Sequence, residues 1–535
     1  MEPIPSNARS ALRSGLAFLW GALIMAVWQS ASPTLIGTDS FYHVKMALML
    51  PAWGFLDQFP WLHWTLFRDQ FVSHHYGFHV LLAPWVWAGQ WLAADPGQGA
   101  KAAACAASGL TSLLFYRLVR QRGLPSPWFW TLMLVVLPWH YWMRHAYIRA
   151  PLVALPLLLL AVGALLSGRA RWTGLLAFLF VQVYFGAVVF MGVPAAIVAG
   201  RLLAGEFTRR DLGLLGWPWL GLAAGFIINP YFPENLGFMK IQLLDTGLGS
   251  TVKVGNEWQP LDTWSLVVMS IPLLLLWGGA LLLHLRRGGK PDGSTLGLLL
   301  LNGFFLVLTL KARRFVEYWP VFALLNAADL ARLSRHELPE RWRRHPRALA
   351  QGALAGILLL LALAVPGWAR GYRVLQRDPA PPPLVQALQY LRVHSPPGSL
   401  VLTDDWDQFP VCFFHNTHNT YAVGLDPAFT AVPYPELWER YRLITRGRTP
   451  ATLGQAFTVL EKKEARLEDI RDHFQADYVL VRDDHARFYR QLQRATGDFT
   501  RVYPPGAPAG VPPAAVFRVH PARPDPANPP APEPR

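Results

Sequence analysis

The sequence is poor in cysteine and in charge. Its 535 residues include only two cysteines, Cys105 and Cys412, which excludes a disulfide framework and a cysteine-rich zinc or iron–sulfur domain. Charged residues make up 16% of the chain and hydrophobic residues 52%, whereas an average soluble domain carries about 25% charged residues. This shortage of charge excludes a disordered chain and is untypical of a soluble enzyme. Long apolar runs instead predict an integral membrane protein.

The net charge of +15 is distributed unevenly along the chain. Residues 1–382 contain 17 acidic and 32 basic residues, and residues 383–535 contain 17 of each. The basic residues stand singly or in pairs between apolar runs, which does not indicate a nucleic-acid interface. An excess of this kind is typical of the cytoplasmic loops of a membrane protein.

Apolar stretches of about 20 residues predict a multi-pass α-helical bundle with about 11 membrane spans. The stretches lie at residues 15–31, 102–119, 128–143, 152–166, 172–189, 187–203, 212–229, 264–285, 296–310, 315–333 and 348–368. A cytoplasmic N-terminus places most arginines of the short loops in the cytoplasm and the C-terminal region outside. Residues 78–92 are also apolar enough to span; counting them would move most later arginines outside, so we interpret them as re-entrant or interfacial.

The same reading divides the chain into four parts. Residues 1–378 are the membrane region, with outer loops at 32–98 and 229–263, and residues 379–383 are a proline-rich linker. Residues 384–520 are predicted to form an extracytoplasmic α/β domain, with strands at 399–403, 421–425, 478–482 and 515–519 and helices at 384–394, 437–445 and 467–474. The proline-rich tail, residues 521–535, is predicted to be disordered.

A polar motif directly follows the first apolar stretch. It reads Gly-Thr-Asp-Ser-Phe-Tyr-His-Val-Lys from Gly37 to Lys45. Asp39 can act as a general base or bind a divalent metal, and His43, four positions later, can orient it. The alternative is structural, with Thr38 or Asp39 capping a helix.

This motif resembles the acidic hallmark of the GT-C superfamily of membrane glycosyltransferases, and it is most similar to that of oligosaccharyltransferase catalytic subunits. The resemblance implies a polyprenyl-linked sugar donor and a catalytic Asp39. It also implies a role for Glu257, in Gly-Asn-Glu-Trp of the second long outer loop, near the metal and the acceptor.

Two further matches concern donor and acceptor. Arg313 and Arg314 stand where the family places an arginine against the lipid phosphate, with Arg144 and Arg149 as helpers. Trp406 and Asp407, in Thr-Asp-Asp-Trp-Asp, faintly resemble the family's Trp-Trp-Asp acceptor motif. Glu317 is a candidate ion-pair partner of Arg313 or Arg314.

The departures from the family concern the metal. The segment from Met143 to Ala150 has arginines and a histidine where the family carries a second acidic motif. A divalent ion, Mg²⁺ or Mn²⁺, would therefore depend on Asp39 and Glu257, or Asp39 acts as a base without a metal. His75 and His79 have a spacing that suits a metal, but the favoured interpretation is a histidine and aromatic lining.

The sequence thus predicts a glycosyltransferase of a bacterial inner membrane that acts at the outer face. Its partners would be a polyprenyl-linked donor, membrane lipid and an acceptor glycan, lipid or protein. The alternatives are a multi-span transporter or flippase for an anionic lipid or solute, and a non-catalytic assembly subunit. A transporter needs polar residues near the bilayer midplane, whereas the charges here gather at one face.

Overall fold

The structure is a computed structural model that describes residues 6–124, 126–248, 255–287, 290–333, 346–377, 382–448, 465–506 and 510–521. The chain divides into two units by its internal contacts. The helical unit comprises Met1–Gly54, Ser73–Met239 and Gly255–Pro379, and the α/β unit comprises Phe55–Val72, Lys240–Val254 and Ala380–Arg535.

The helical unit consists mainly of α-helices. They are α1 Ser6–Gln29, α2 Thr38–Trp53, α3 Tyr76–Ala93, α4 Pro96–Gln121, α5 Pro127–Leu132, α6 Trp139–Ala146, α7 Pro151–Leu166, α8 Ala170–Val183, α9 Ala187–Leu203, α10 Asp211–Ile227, α11 Glu234–Lys240, α12 Thr263–Met269, α13 Ile271–Arg287, α14 Gly293–Lys311, α15 Trp319–Leu333 and α16 Pro346–Gln376. Short 3-10 helices lie at Met133–Val136, Asn256–Trp258 and Arg313–Glu317.

Several helix starts have a clear local cause. Asp95 precedes α4 and accepts a hydrogen bond from the backbone N–H of Gly97 at 2.8 Å, and Pro96 occupies the first helical position, where its missing N–H costs nothing. Asp292 caps α14 in the same way, through the N–H of Thr295 at 2.7 Å.

Within the described residues, four helices are long and apolar enough to cross a membrane. They are Arg9–Gln29, Pro96–Gln121, Gly293–Lys311 and Gln351–Gln376. Two bent helix pairs raise the number to six: Trp139–Ala146 with Pro151–Leu166, bent by 117°, and Thr263–Met269 with Ile271–Arg286, bent by 79°. The structure therefore contains a helical bundle with candidate membrane spans, as predicted. The predicted count of about 11 spans is not confirmed.

The difference in count has a physical cause. Helices α8, α9 and α10 have 14 to 17 residues, shorter than the roughly 20 residues that cross a bilayer upright. The predicted span at 128–143 is split, because the chain leaves the helical conformation at Leu137 and Pro138 before α6. Residues 78–92 do form one helix, α3, which is not among the candidate spans.

The α/β unit contains one five-stranded sheet in the order β2-β1-β3-β5-β4. Its strands are β1 Leu400–Thr403, β2 Thr420–Tyr421, β3 Tyr478–Arg482, β4 Phe499–Tyr503 and β5 Ala514–Val519. Its helices are α17 Pro382–His394, α18 Phe409–His415, α19 Pro427–Ala431, α20 Pro435–Thr445, α21 Asp469–Asp472 and α22 Ala486–Arg494. Strand β1 is parallel to β2 and to β3, while β5 is antiparallel to β3 and β4.

The segment Phe55–Val72 packs with this sheet, although the sequence places it in the first outer loop. The backbone N–H groups of His63 and Trp64 donate to the carbonyls of Tyr421 and Ala422, at 2.8 and 2.9 Å. The Trp64 indole donates to the Phe474 carbonyl at 2.9 Å. The α/β unit is therefore assembled from pieces that are distant in sequence.

The strand and helix bounds predicted for the α/β unit agree with the structure only in part. The strand at 478–482 is found with the predicted bounds, and the helix at 384–394 lies within α17. The predicted strand at 421–425 is reduced to the two residues of β2, and β4 was not predicted. Most of the predicted linker at 379–383 and of the tail at 521–535 lies outside the described residues.

Candidate active site

The N-terminus of α2 presents Asp39. Gly37, the residue before the helix, has φ of +76°, a conformation that favours glycine. A Cβ atom on Gly37 would also lie 2.8 Å from Cδ1 of Tyr147. The residue at the N-cap position is Gly37, which has no side chain to cap the helix, and Asp39 lies in the first helical turn.

Ser40 joins this helix start to the turn that carries Arg149. Its hydroxyl donates to the Ile36 carbonyl and accepts from the backbone N–H of Ile148 at 2.9 Å. Ser40 is fully buried. Because both partners are backbone groups, the serine fixes the distance between the first turn of α2 and the neighbouring turn.

That turn separates α6 from α7, where the chain bends by 117°. Pro151 is the first residue of α7, and a proline is favoured at that position. Arg144 lies in the last turn of α6 and Arg149 in the bend. The bend directs two arginines, both almost fully buried, into the same region.

Three carboxylates meet these arginines. Arg149 donates through Nη1 to Asp39 Oδ2 at 3.3 Å and to Glu257 Oε2 at 2.9 Å, and through Nη2 to Glu317 Oε1 at 2.7 Å. Arg144 donates through Nη2 to Glu257 Oε2 at 2.9 Å and through Nε to Glu317 Oε1. Arg149 therefore bridges all three acids.

A third arginine completes the group. Nη1 of Arg314 lies 3.1 Å from Oε1 of Glu257, and its guanidinium lies 4.2 Å from the centroid of the Trp258 ring. We call the six residues Asp39, Arg144, Arg149, Glu257, Arg314 and Glu317 the charge network. Three formal positive charges balance three negative ones, so the desolvated charges are compensated within the group.

Glu257 contacts all three arginines of the charge network. Burial alone would raise the pKa of its carboxyl, but Arg314, Arg149 and Arg144 hold that pKa well below its ordinary value. Glu257 is therefore ionised at any physiological pH. Both of its oxygens are already occupied by guanidinium groups.

Asp39 is the most accessible acid, with a side chain 43% exposed, against 1% for Glu317. Partial removal from water raises the pKa of its carboxyl above the ordinary value, and Arg149 opposes that shift. A carboxylate with a raised pKa is a stronger base. Asp39 is thus accessible to a substrate, is a stronger base than an ordinary aspartate, and is held in position by Arg149.

Glu317 has other partners than the sequence predicts. The sequence predicts an ion pair of Glu317 with Arg313 or Arg314, but its carboxylate accepts hydrogen bonds from Arg144 and Arg149. The pairing depends on the bend between α6 and α7, which sequence spacing does not reveal. Arg313 does not contact Glu317 in this arrangement; its Nη2 atom lies 3.5 Å from the Pro260 carbonyl.

His43 bonds to another histidine. Its Nδ1 lies 2.9 Å from Nε2 of His79 on α3, and the hydrogen bond of Asp39 goes to Arg149. His75 stacks on the ring of Tyr184 at 5.9 Å, and its Nδ1 lies 3.4 Å from the Val183 carbonyl. These contacts agree with the favoured interpretation, a lining of histidines and aromatic rings.

The predicted metal ligands have a guanidinium between them. Nη1 of Arg149 contacts both Asp39 and Glu257, and a cation there would face three arginines. In this arrangement the residues do not fit a divalent ion.

Among the residues that the structure describes, one group has the ligand spacing of a cation site, and it lies in the α/β unit. Asp404, Asp484 and His485 follow the parallel strands β1 and β3, with ligand atoms within 4.8 Å of one another. The Nδ1 atom of His485 lies 3.1 Å from Asp404 and 3.3 Å from Asp484. Burial lowers the pKa of His485, but hydrogen bonds to the two carboxylates raise it to about 10. The spacing therefore suits a metal ion and equally an imidazolium ion pair.

The predicted acceptor residues also belong to the α/β unit. Trp406 and Asp407 lie in a 3-10 helix after β1, and Asp405 caps this helix by accepting from the N–H of Asp407 at 3.2 Å. Trp406 packs against the core of the unit.

Comparison with solved structures identifies the fold. The chain superposes on the archaeal oligosaccharyltransferase AglB of Archaeoglobus fulgidus, in complex with an inhibitory peptide and a dolichol-phosphate, with a TM-score of 0.59, 13% identity and coverage of 93% of this chain and 74% of AglB. The fold is that of the GT-C glycosyltransferases.

Two other GT-C structures agree. ArnT from Cupriavidus metallidurans matches with a TM-score of 0.52 and 14% identity over 95% of this chain and 98% of ArnT. The mycobacterial arabinofuranosyltransferase AftD matches with a TM-score of 0.56 and 13% identity over 95% of this chain, which spans 40% of AftD. No protein-family model and no curated protein sequence matches the chain.

Proposed function

We propose that this protein is an integral membrane glycosyltransferase that moves a sugar or glycan from a polyprenyl-phosphate or polyprenyl-pyrophosphate donor to an acceptor. The observation that carries the proposal is Asp39, an accessible carboxylate on a GT-C fold, held by a buried arginine beside two further arginines. The lipid ligand of AglB, dolichol-phosphate, supports a donor of this chemical class.

In the proposed reaction Asp39 accepts the proton of the acceptor's nucleophilic atom. That atom forms a bond to the anomeric carbon of the sugar while the bond from this carbon to the phosphate oxygen breaks. The lipid phosphate leaves with the electron pair, and cations at the site stabilise the charge that develops. Arg149 fixes the orientation of Asp39 through one oxygen.

Of the four arginines expected to bind the donor's phosphate, Arg144, Arg149 and Arg314 contact carboxylates, so the phosphate is proposed to bind on the side of Arg313. Trp406 and Asp407 are the proposed acceptor contacts. No step is assigned to a metal ion, because a guanidinium lies between Asp39 and Glu257.

The proposed location is a bacterial inner membrane, with the N-terminus in the cytoplasm and the site at the outer face. A reporter fused after residue 378 should be active only outside the cytoplasm. A cytoplasmic signal at that junction would contradict this orientation.

The function is tested with purified protein and a panel of radiolabelled polyprenyl-phosphate sugars, with and without chelator. We expect label to pass from at least one donor to a membrane or envelope acceptor, equally with chelator present. Movement of intact lipid across the bilayer without transfer of label would favour the flippase alternative. Inactivity with every donor, together with normal envelope assembly by an Asp39→Asn variant, would favour the assembly subunit.

A further inference from the structure

The charge network leaves its arginines little capacity for a new anion. Arg144, Arg149 and Arg314 each contact at least one carboxylate, and the six formal charges cancel. A phosphate that bound to these arginines would have to displace Glu257 or Glu317. The donor's phosphate therefore needs cations without such partners.

Arg313 is one such cation. In the described part of the chain it forms no ion pair with a carboxylate, and its Nε is buried without a hydrogen-bond partner. One of its η-nitrogens, Nη2, lies 3.5 Å from the Pro260 carbonyl. A buried guanidinium N–H that lacks an acceptor is costly, and an anion would satisfy it.

His140 is the second polar group. It lies on α6, one turn before Arg144, and its Nδ1 is buried without a hydrogen-bond partner among the described residues. The 3-10 helix that begins at Arg313 packs against α6, and so does α16, which carries Arg370. In the tautomer with hydrogen on Nδ1, a neutral His140 would donate to an anion.

Arg370, on α16, supplies the third group. Its guanidinium lies 5.8 Å from the centroid of the Trp139 ring, and that ring lies 3.6 Å from the His140 ring. The described residues include no carboxylate that pairs with Arg370, and its side chain is exposed. An exposed cation beside an apolar helix end is placed to meet a lipid headgroup.

The packing of α16 on α6 holds Arg370 in this position. Gly367 and Gly371 face Trp139, and a Cβ atom on Gly371 would lie 2.7 Å from Trp139 Cε3. The Trp368 indole donates to the Val135 carbonyl at 3.0 Å. The two glycines and this hydrogen bond bring the helix close to the ring and fix its rotation.

We infer that Arg313, Arg370 and His140 bind the phosphate of the donor lipid, and that the charge network instead positions Asp39. The inference rests on the proposed function and assigns two residues, His140 and Arg370, that no sequence motif indicates. A phosphate bound by the three groups would accept from two guanidinium groups and one imidazole, which are charge-assisted or directional contacts.

The test measures binding of a polyprenyl monophosphate to the full-length protein in detergent. Polyprenol, phosphatidylglycerol and inorganic phosphate are tested in parallel. The variants are Arg313→Gln, Arg370→Gln and His140→Gln, compared with Arg314→Gln. The matched control is Arg373→Gln, the same change one turn further along α16, where the side chain donates to the Ala369 carbonyl of its own helix.

We expect Arg313→Gln and Arg370→Gln to weaken the Kd for polyprenyl monophosphate roughly ten- to a hundredfold, the usual effect of losing a charge-assisted contact. His140→Gln should weaken it less, and Arg373→Gln should stay within about twofold of the parent. Arg314→Gln should reduce transfer rate with little change in this Kd.

The contrary outcomes are distinct. If the parent binds the lipid phosphate and Arg370→Gln binds it equally, while Arg314→Gln does not, the assignment is wrong and the proposed function stands. If inorganic phosphate binds as well as the lipid, the site serves a free anion and the inference fails. If the parent does not distinguish polyprenyl monophosphate from polyprenol or phosphatidylglycerol, the proposed function fails as well.

Discussion

The helical unit and the α/β unit each contain a cluster of buried charge, and the two clusters use different cations. In the charge network, guanidinium groups hold the carboxylates of Glu257 and Glu317. In the α/β unit, an imidazole lies between the carboxylates of Asp404 and Asp484. An arginine keeps its charge at every attainable pH, whereas a histidine can lose its proton.

The difference indicates separate roles. A charge network built on arginines presents a fixed field to a reacting group, and that suits the positioning of a base such as Asp39. The His485 cluster follows two parallel strands and ties their ends together, so it stabilises the sheet as long as the imidazole is protonated. The predictions below test this contrast, from the largest expected effect to the smallest.

Asp39→Asn should fold and insert normally and lose transfer by about a hundred- to ten-thousandfold, because a general base typically contributes that much. The matched control is Asp95→Asn at the start of α4. Asp95 is a true helix cap, and asparagine caps about as well as aspartate. Rates measured with a saturating donor should separate the two variants. Activity of Asp39→Asn within a few-fold of the parent would remove Asp39 from the chemistry.

Glu317→Gln should destabilise the helical unit. The side chain is 1% exposed and accepts from Arg144 and Arg149, and removing one partner of a buried ion pair costs about 3–5 kcal/mol. We expect a clear drop in the thermal unfolding midpoint in detergent. Glu234→Gln, at an exposed glutamate of α11, should change it little. If Glu317→Gln and Glu234→Gln have the same unfolding midpoint, the ion pairs of Glu317 do not stabilise the helical unit as described.

The α/β unit should lose stability at alkaline pH. The folded pKa of His485 is raised to about 10, and its unfolded pKa is about 6.5. The stabilisation is therefore fully present below about pH 6.5 and is lost as the pH rises towards 10. The unfolding midpoint of the parent should fall across this window, and His485→Gln should flatten part of the slope. His520→Gln, which removes a half-buried histidine that forms a hydrogen bond with Thr500, is the control and should leave the slope unchanged.

The sequence predicts which residues meet in the charge network better than it predicts the helices that hold them. Asp39, Arg144, Arg149, Glu257 and Arg314 are all indicated by motif or by their unusual position in apolar surroundings, and the structure brings them into one network. Glu317 is found by sequence but its partners are not, because they depend on the bend between α6 and α7.

Other features have no local signal. Residues 55–72 join the α/β unit through backbone pairing with Tyr421, which connects segments more than 300 residues apart. Gly367 and Gly371 look like ordinary glycines of an apolar helix, and the rings packed against them explain them: Trp139 for both glycines, and also Trp28 for Gly371. Strand β3 is predicted with its correct bounds because all but its last residue are buried, whereas in β4, at the sheet edge, only the first residue is buried.

The central claim is that a sugar leaves a lipid phosphate at the site of Asp39. The most direct measurement is the release of polyprenyl phosphate from a polyprenyl-phosphate sugar by the protein in proteoliposomes, counted against the sugar transferred. We expect one lipid phosphate for each sugar transferred by the parent, and almost none of either from Asp39→Asn. Sugar transfer from a nucleotide donor without release of lipid phosphate would contradict the account.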